Sequence, residues 1–155
     1  MYGPLKLYVT YQQVSLFDSS LERPFNSWED KHVNQGFSWR SSSVSFATLE
    51  PDGTIEIEVT ANEAAVPTAG VIRAIVVPFR PPETEPLELA TITESHRLRA
   101  PAGTVGVFFE AGIGGDRSRY RVTFLTGSDA LEPQILVADD ALAPPTAFLM
   151  DAQAG

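Results

Sequence analysis

The chain has 155 residues, 43% of them hydrophobic, which suits one globular domain with a real core. Twenty acidic residues against eleven basic give a net charge of −9, a balance that excludes nucleic acid and anionic membranes as direct partners and favours a basic one. No apolar run approaches the roughly 18 residues of a membrane helix, and the absence of cysteine excludes a disulfide framework or a thiolate site.

The N-terminus, MYGPLKLYVTYQQ, lacks the charged-then-apolar layout of a signal peptide, so a cytoplasmic protein is expected. Leu5, Leu7, Val9 and Tyr11 alternate with Lys6, Tyr8 and Thr10, the period of a strand. Val14 and Leu16 continue on the other parity, which predicts a bulge at Gln12–Gln13. The stretch Pro24–Leu49 holds both tryptophans, one of the two histidines and the helix signal. Asn26 and Ser27, with Glu29 and Asp30 three residues on, have capping-box spacing, and Gly36 is placed to end the helix in a left-handed turn. A helix is therefore predicted over about residues 28–35, held to the core by Trp28, Val33, Phe37 and Trp39, with His32 on its surface.

Val44 and Phe46 point one way along the next strand, and Glu50-Pro51-Asp52-Gly53 predicts a hairpin turn. Ile55, Ile57 and Val59 alternate with Glu56, Glu58 and Thr60, the clearest amphipathic strand in the chain. Val71–Phe79 is almost wholly apolar, as a central strand would be, and Pro78 at its end implies an edge or a stop. The segment RPPETEP is a stiff acidic connection; Leu87 and Leu89, Leu98, and Val105 to Phe109 mark further strands. Gly112–Ser118 is read as a hairpin loop, Tyr120, Val122 and Phe124 as a strand, and Gln134–Ala138 as the last one. The predicted fold is all-β: a two-layer antiparallel β-sandwich of about eight or nine strands with one short helix in its N-terminal half. One domain spans residues 1–145, and residues 146–155 form a flexible tail unless Phe148 and Leu149 dock.

Carboxylates cluster. Residues 50–63 hold Glu50, Asp52, Glu56, Glu58 and Glu63 without a base, and residues 83–94 hold Glu83, Glu85, Glu88 and Glu94. Residues 127–155 add five more acids, including Asp139 and Asp140. The candidate partner-binding residues are Glu50, Asp52, Glu56, Glu58, Glu83, Glu85, Glu88, Asp139 and Asp140. Arg117, Arg119 and Arg121 fall on one strand face, where they either bind an anion or pair with Glu56 and Glu58.

Catalysis is not expected. His32 and His96 are 64 positions apart, in no metal-ligand spacing, and His96 is expected to face solvent. There is no G-x-S-x-G elbow, and Gly112–Gly115 lacks the lysine of a phosphate loop. Glu56 and Glu58 share a strand face, but such pairs are common on solvated sheets. No cofactor or metal is called for.

The ordered set Thr10-Tyr11-Gln12-Gln13, Phe17, Trp28-Glu29-Asp30, Gln35-Gly36-Phe37 and Val44-Ser45-Phe46 resembles the start of the competence protein J (ComJ/Nin) family. Val76-Val77-Pro78-Phe79 and Arg97-Leu98 with Pro101 and Gly103 extend the likeness across the first two thirds of the chain. Nothing after residue 115 carries it. The resemblance implies a bacterial inhibitor of a DNA-entry nuclease, or an immunity protein against a nuclease-type toxin. It transfers no functional residues, since the matched positions are aromatics, glycines and turns. Two functions are thus expected to compete: an acidic inhibitor that covers a basic nuclease, and a small-ligand or glycan-binding sandwich that stacks Trp28, Trp39 or tyrosines on a sugar.

Overall fold

The computed structural model describes every residue except 1, 115, 116 and 128–130, and omits the side chain of Tyr2. Among the described residues, eleven strands and one helix build two facing sheets. The larger sheet has the order β1 (Tyr2–Val9), β5 (Gly53–Asn62), β10 (Arg117–Leu125), β9 (Gly106–Gly114), β6 (Val71–Pro78), β11 (Gln134–Val137). The smaller has the order β3 (Phe37–Arg40), β4 (Ser43–Ala47), β2 (Gln13–Asp18), β7 (Leu87–Ala90), β8 (Ser95–Leu98). The all-β sandwich read from the alternating patterns is the observed class, with two corrections. There are more strands than expected, and β5 and β10 pair in parallel.

Between the sheets lie the residues of one parity from each strand: Leu7, Val9, Ile55, Ile57, Val122 and Phe109 from one side, Val14, Leu16, Phe46 and Leu89 from the other. Phe46 and Phe109 stack across the gap with ring centroids 4.5 Å apart. Burying this set supplies the main driving force, at roughly 25 cal/mol per Å² of apolar surface. A second small cluster, Ala74, Val76, Phe108 and Leu125, sits on the outer side of the larger sheet.

A predicted bulge and a predicted hairpin turn prove to be crossings between sheets. The parity change at Gln12–Gln13 is no bulge: Tyr11 and Gln12 both adopt left-handed backbone (φ 56° and 54°) and carry the chain from β1 in one sheet to β2 in the other. Glu50–Gly53 does not close a hairpin either, because β4 and β5 belong to different sheets. Local pattern shows where a strand reverses. It does not show which sheet receives the next one.

The helix α1 spans Asp30–Gln35, shorter than predicted, and Gly36 ends it at φ 83° as expected. Its cap differs. Glu29 is the N-cap residue, and His32 Nδ1 accepts the Glu29 N–H at 2.9 Å. Asn26 is instead buried and donates its amide to Ser38 O (2.8 Å) and Ser43 O (2.9 Å), tying the preceding segment to β3 and β4. His32 is fully buried, not on the surface, and its Nε2 donates to Asp151 O at 2.9 Å. Val33, expected inside, is exposed. His96 is half-buried, 2.8 Å from Lys6 O.

The C-terminal segment takes the docked alternative. Phe148 packs on Phe37, with centroids 5.7 Å apart. Gln35 both donates to Leu149 O (3.0 Å) and accepts the Leu149 N–H (2.9 Å). Beyond it, the Ser27 N–H bonds Gln153 O (2.7 Å) and the Gly155 N–H bonds Phe25 O (2.8 Å), an extended pairing alongside residues 25–27. The tip of the Gly112–Ser118 hairpin joining β9 to β10 lies outside the described residues, as does Asp129.

Candidate functional site

The fold sorts the predicted carboxylates into three places. Glu56 and Glu58 stand on the outer face of β5, beside β10, whose arginines share that face. Arg121 Nη2 is 3.1 Å from Glu58 Oε2, and Arg117 Nη1 is 3.9 Å from Glu56 Oε1. Arg121 also donates to Thr68 Oγ1. These pairs are exposed and contribute little stability, in the range of about 0–1 kcal/mol. Two arginines of the stripe, Arg117 and Arg121, thus take the pairing alternative, each meeting a glutamate of the acidic strand.

Glu83, Glu85 and Glu88 lie at or near the end of the sandwich where β6 stops and β7 begins. Glu83 and Glu85 are exposed on a proline-rich loop beside a cleft of about 620 Å³ that also holds Arg80 and Arg99. Glu88 is half-buried on β7, opposite Arg97 of β8. Bases accompany these acids too.

Glu50, Asp52, Asp139 and Asp140 meet at the opposite end, around the Tyr11–Gln12 crossing. The Gln12 N–H bonds Pro51 O (3.0 Å), and the Thr48 N–H bonds Gln12 O (3.0 Å), so the two crossings lock together. Glu50 accepts a short hydrogen bond from the Tyr120 hydroxyl, which in turn accepts the Leu49 N–H at 2.9 Å. Burial, and then the bond to Glu50, push the Tyr120 phenol well above its ordinary value. Tyr120→Phe is expected to lower stability by about 1.5–3 kcal/mol, the range for a hydrogen bond to a charged group. Because the folded phenol's value is raised, wild type keeps this contribution below the unfolded value near 10 and loses it as pH rises through the folded one. The phenylalanine variant lacks that alkaline loss, so urea midpoints at pH 7 and pH 11 should converge.

Asp139 is held by Arg73, a residue that sequence reasoning missed inside the apolar run of β6. The guanidinium is 2% exposed and bonds Asp139 twice, Nε to Oδ1 at 2.7 Å and Nη2 to Oδ2 at 2.9 Å, with Nη1 on Ala47 O at 2.8 Å. These bonds hold the Asp139 carboxyl below its ordinary value against the opposing effect of burial. A lone arginine amid VIxAIVV was the available signal, since a charge there needs a buried partner. Glu50 and Asp139 are therefore committed internally. Asp52 and Asp140 are exposed, and no salt bridge engages them among the described residues.

Between these elements opens a mostly apolar cleft of about 420 Å³, lined by Tyr11, Trp28, Val33, Ile92 and Leu142, with Arg73 also reaching it. The Trp28 Nε1–H donates to Gln13 Oε1 (3.1 Å), and the Trp39 Nε1–H donates to Pro78 O (2.7 Å). Both indoles are half-buried, with Trp28 facing the cleft and Trp39 tied to the end of β6. Among the described residues, no three His, Asp or Glu side chains gather into a metal-binding group.

The family model for competence protein J (ComJ) matches residues 6–125. Among solved structures, the fold is similar to ComJ of Bacillus subtilis, described as an inhibitor of the DNA-degrading activity of NucA, with a TM-score of 0.68 and 18% identity. The match covers 81% of this chain and 96% of that one, and at such identity it establishes the shared fold. No curated protein sequence matches. The strand β11, Asp139–Asp140 and the docked C-terminal segment lie beyond the residues that the family model matches. Over most of its length, then, the chain belongs to the competence protein J family.

Proposed function

We propose that this protein binds and inhibits a DNA-degrading nuclease, with no catalysis of its own. The observation that carries this is the family match over residues 6–125, whose solved member inhibits NucA. Physical chemistry supports it. A nuclease holds DNA in a cleft built to bind phosphates, so its mouth is basic. A rigid sandwich of net charge −9 is drawn to such a mouth by long-range attraction and covers it without entering the reaction. The carboxylates left unpaired on this scaffold supply the complementary field.

The test is direct. The tagged protein is immobilised and incubated with extract of its own host cells, and the bound fraction is run on a DNA-containing activity gel. A DNase band is expected at low salt and should fade at high salt, because screening shortens the reach of the attraction. Adding free protein to the eluted DNase should stop plasmid cleavage at stoichiometric ratio. Recovery of no DNase at either salt overturns the reading.

A further inference from the structure

We propose that the corner built around Tyr11 is the face that docks the nuclease, with Tyr11 as its anchor and a basic segment of the partner as its occupant; this rests on the inhibitor reading above. Four observations meet there. The first is backbone strain. Tyr11 and Gln12 are the positive-φ residues other than glycine among the described residues, and they are consecutive. Each left-handed L-residue costs roughly 1–2 kcal/mol, which glycine would avoid. Three hydrogen bonds hold the pair in place: the Gln12 N–H to Pro51 O, the Thr48 N–H to Gln12 O, and Gln12 Nε2 to Thr48 O (3.1 Å).

The second is what that strain achieves. It leaves the Tyr11 side chain 81% exposed, the most exposed large hydrophobic side chain among the described residues. A turn that served only to cross between sheets would have no use for an aromatic in water. The neighbouring Thr10 Oγ1 is buried and has no hydrogen-bond partner among the described residues. The third is the cleft beside Tyr11, about 420 Å³, flanked by Val33 and Ile92, which are themselves 54% and 40% exposed. Aromatic anchors next to an apolar hollow are where binding energy concentrates in protein interfaces.

The fourth is the charge of the rim, and it chooses the occupant. Asp52 and Asp140 flank the corner, and Asp30 stands one turn before Val33 on α1. The cation at the cleft, Arg73, is neutralised by Asp139. At this end Asp52, Asp140 and Asp30 have no salt bridge among the described residues, with Lys31 the base beside Asp30 on α1, so an apolar centre sits inside a net acidic rim. That anatomy suits a basic protein surface carrying an arginine or lysine onto the Tyr11 ring, where cation–π attraction adds to burial.

The experiment uses the DNase recovered from host extract and measures inhibition of plasmid cleavage by the full chain and three variants. Tyr11→Gly relieves the left-handed strain, so its urea midpoint should equal or exceed that of wild type while its inhibition weakens at least about 10-fold. Asp140→Lys should weaken inhibition and flatten its salt dependence. Glu83→Lys, at the other end of the sandwich, should inhibit as wild type does. If Tyr11→Gly and Asp140→Lys inhibit normally, the docking face lies elsewhere although the protein is still an inhibitor. If Tyr11→Gly changes the gel-filtration volume but not inhibition, the corner binds a second copy of this chain and the proposal falls. Failure of wild type itself to inhibit removes the inhibitor reading, and this inference with it.

Discussion

Phe109→Ala is expected to lower unfolding stability by about 3–5 kcal/mol, the range for deleting a fully buried aromatic. Phe109 lies on β9, an interior strand of the larger sheet, and has no solvent exposure. Its ring lies parallel to Phe46 of the other sheet, 4° between planes, and contacts Tyr120 at 5.9 Å. Facing sheets are spaced by their side chains at about 10 Å, and both are braced by hydrogen-bonded neighbours, so the gap cannot close around the missing ring. Phe108 provides the comparison. It is equally buried, but in the small outer cluster with Leu125 and partly buried Ala65 and Leu131, which belong to connecting segments. Those segments can settle into the space, so Phe108→Ala should destabilise less. Urea titration of both variants measures the difference, and a larger loss at Phe108 would contradict this account of the core.

Asp139→Ala should also remove about 3–5 kcal/mol, by a different route. Arginine stays protonated throughout the accessible pH range, so the variant leaves a buried cation with Ala47 O as its remaining acceptor among those described. Replacing both partners, Arg73→Met with Asp139→Ala, should recover most of the loss, because the desolvated charge goes with its counter-ion. The pH dependence has a definite sign. Arg73 depresses the folded value of Asp139, so wild type holds this stability above the unfolded carboxylate value near 3.9 and loses it as pH falls through the lower folded value. Asp139→Ala has no such acid loss from this pair. The gap between the two proteins should therefore be wide at pH 7 and narrow toward pH 2, read from urea midpoints.

The placement of the acids explains why the site was only half legible. Asp52 and Asp140 were recognisable as candidate carboxylates, but so were Glu56, Glu58, Glu83, Glu85 and Glu88. The sequence offered Arg121 as either an anion site or a partner of the β5 glutamates, and it meets Glu58 because β10 runs parallel beside β5. Nothing near Arg73 reveals Asp139, 66 positions on. Tyr11 was read as the end of a strand, and its exposure follows from a crossing between sheets that local parity mistook for a bulge.

What the sequence by itself determined was whatever repeats over a few residues. The alternation of Ile55, Ile57 and Val59 with Glu56 and Glu58 sets which side of β5 faces the core, because successive side chains on a strand point to opposite faces. Gly36 marks the helix end, since a left-handed residue there favours glycine. The ordered aromatics and glycines of the first two thirds carried the family. Only the tertiary structure decided which sheet each strand joins, which carboxylates find arginines, and that His32 is buried under a segment more than a hundred residues away. These depend on contacts between distant parts of the chain, and their free energy appears only once the whole sandwich has closed.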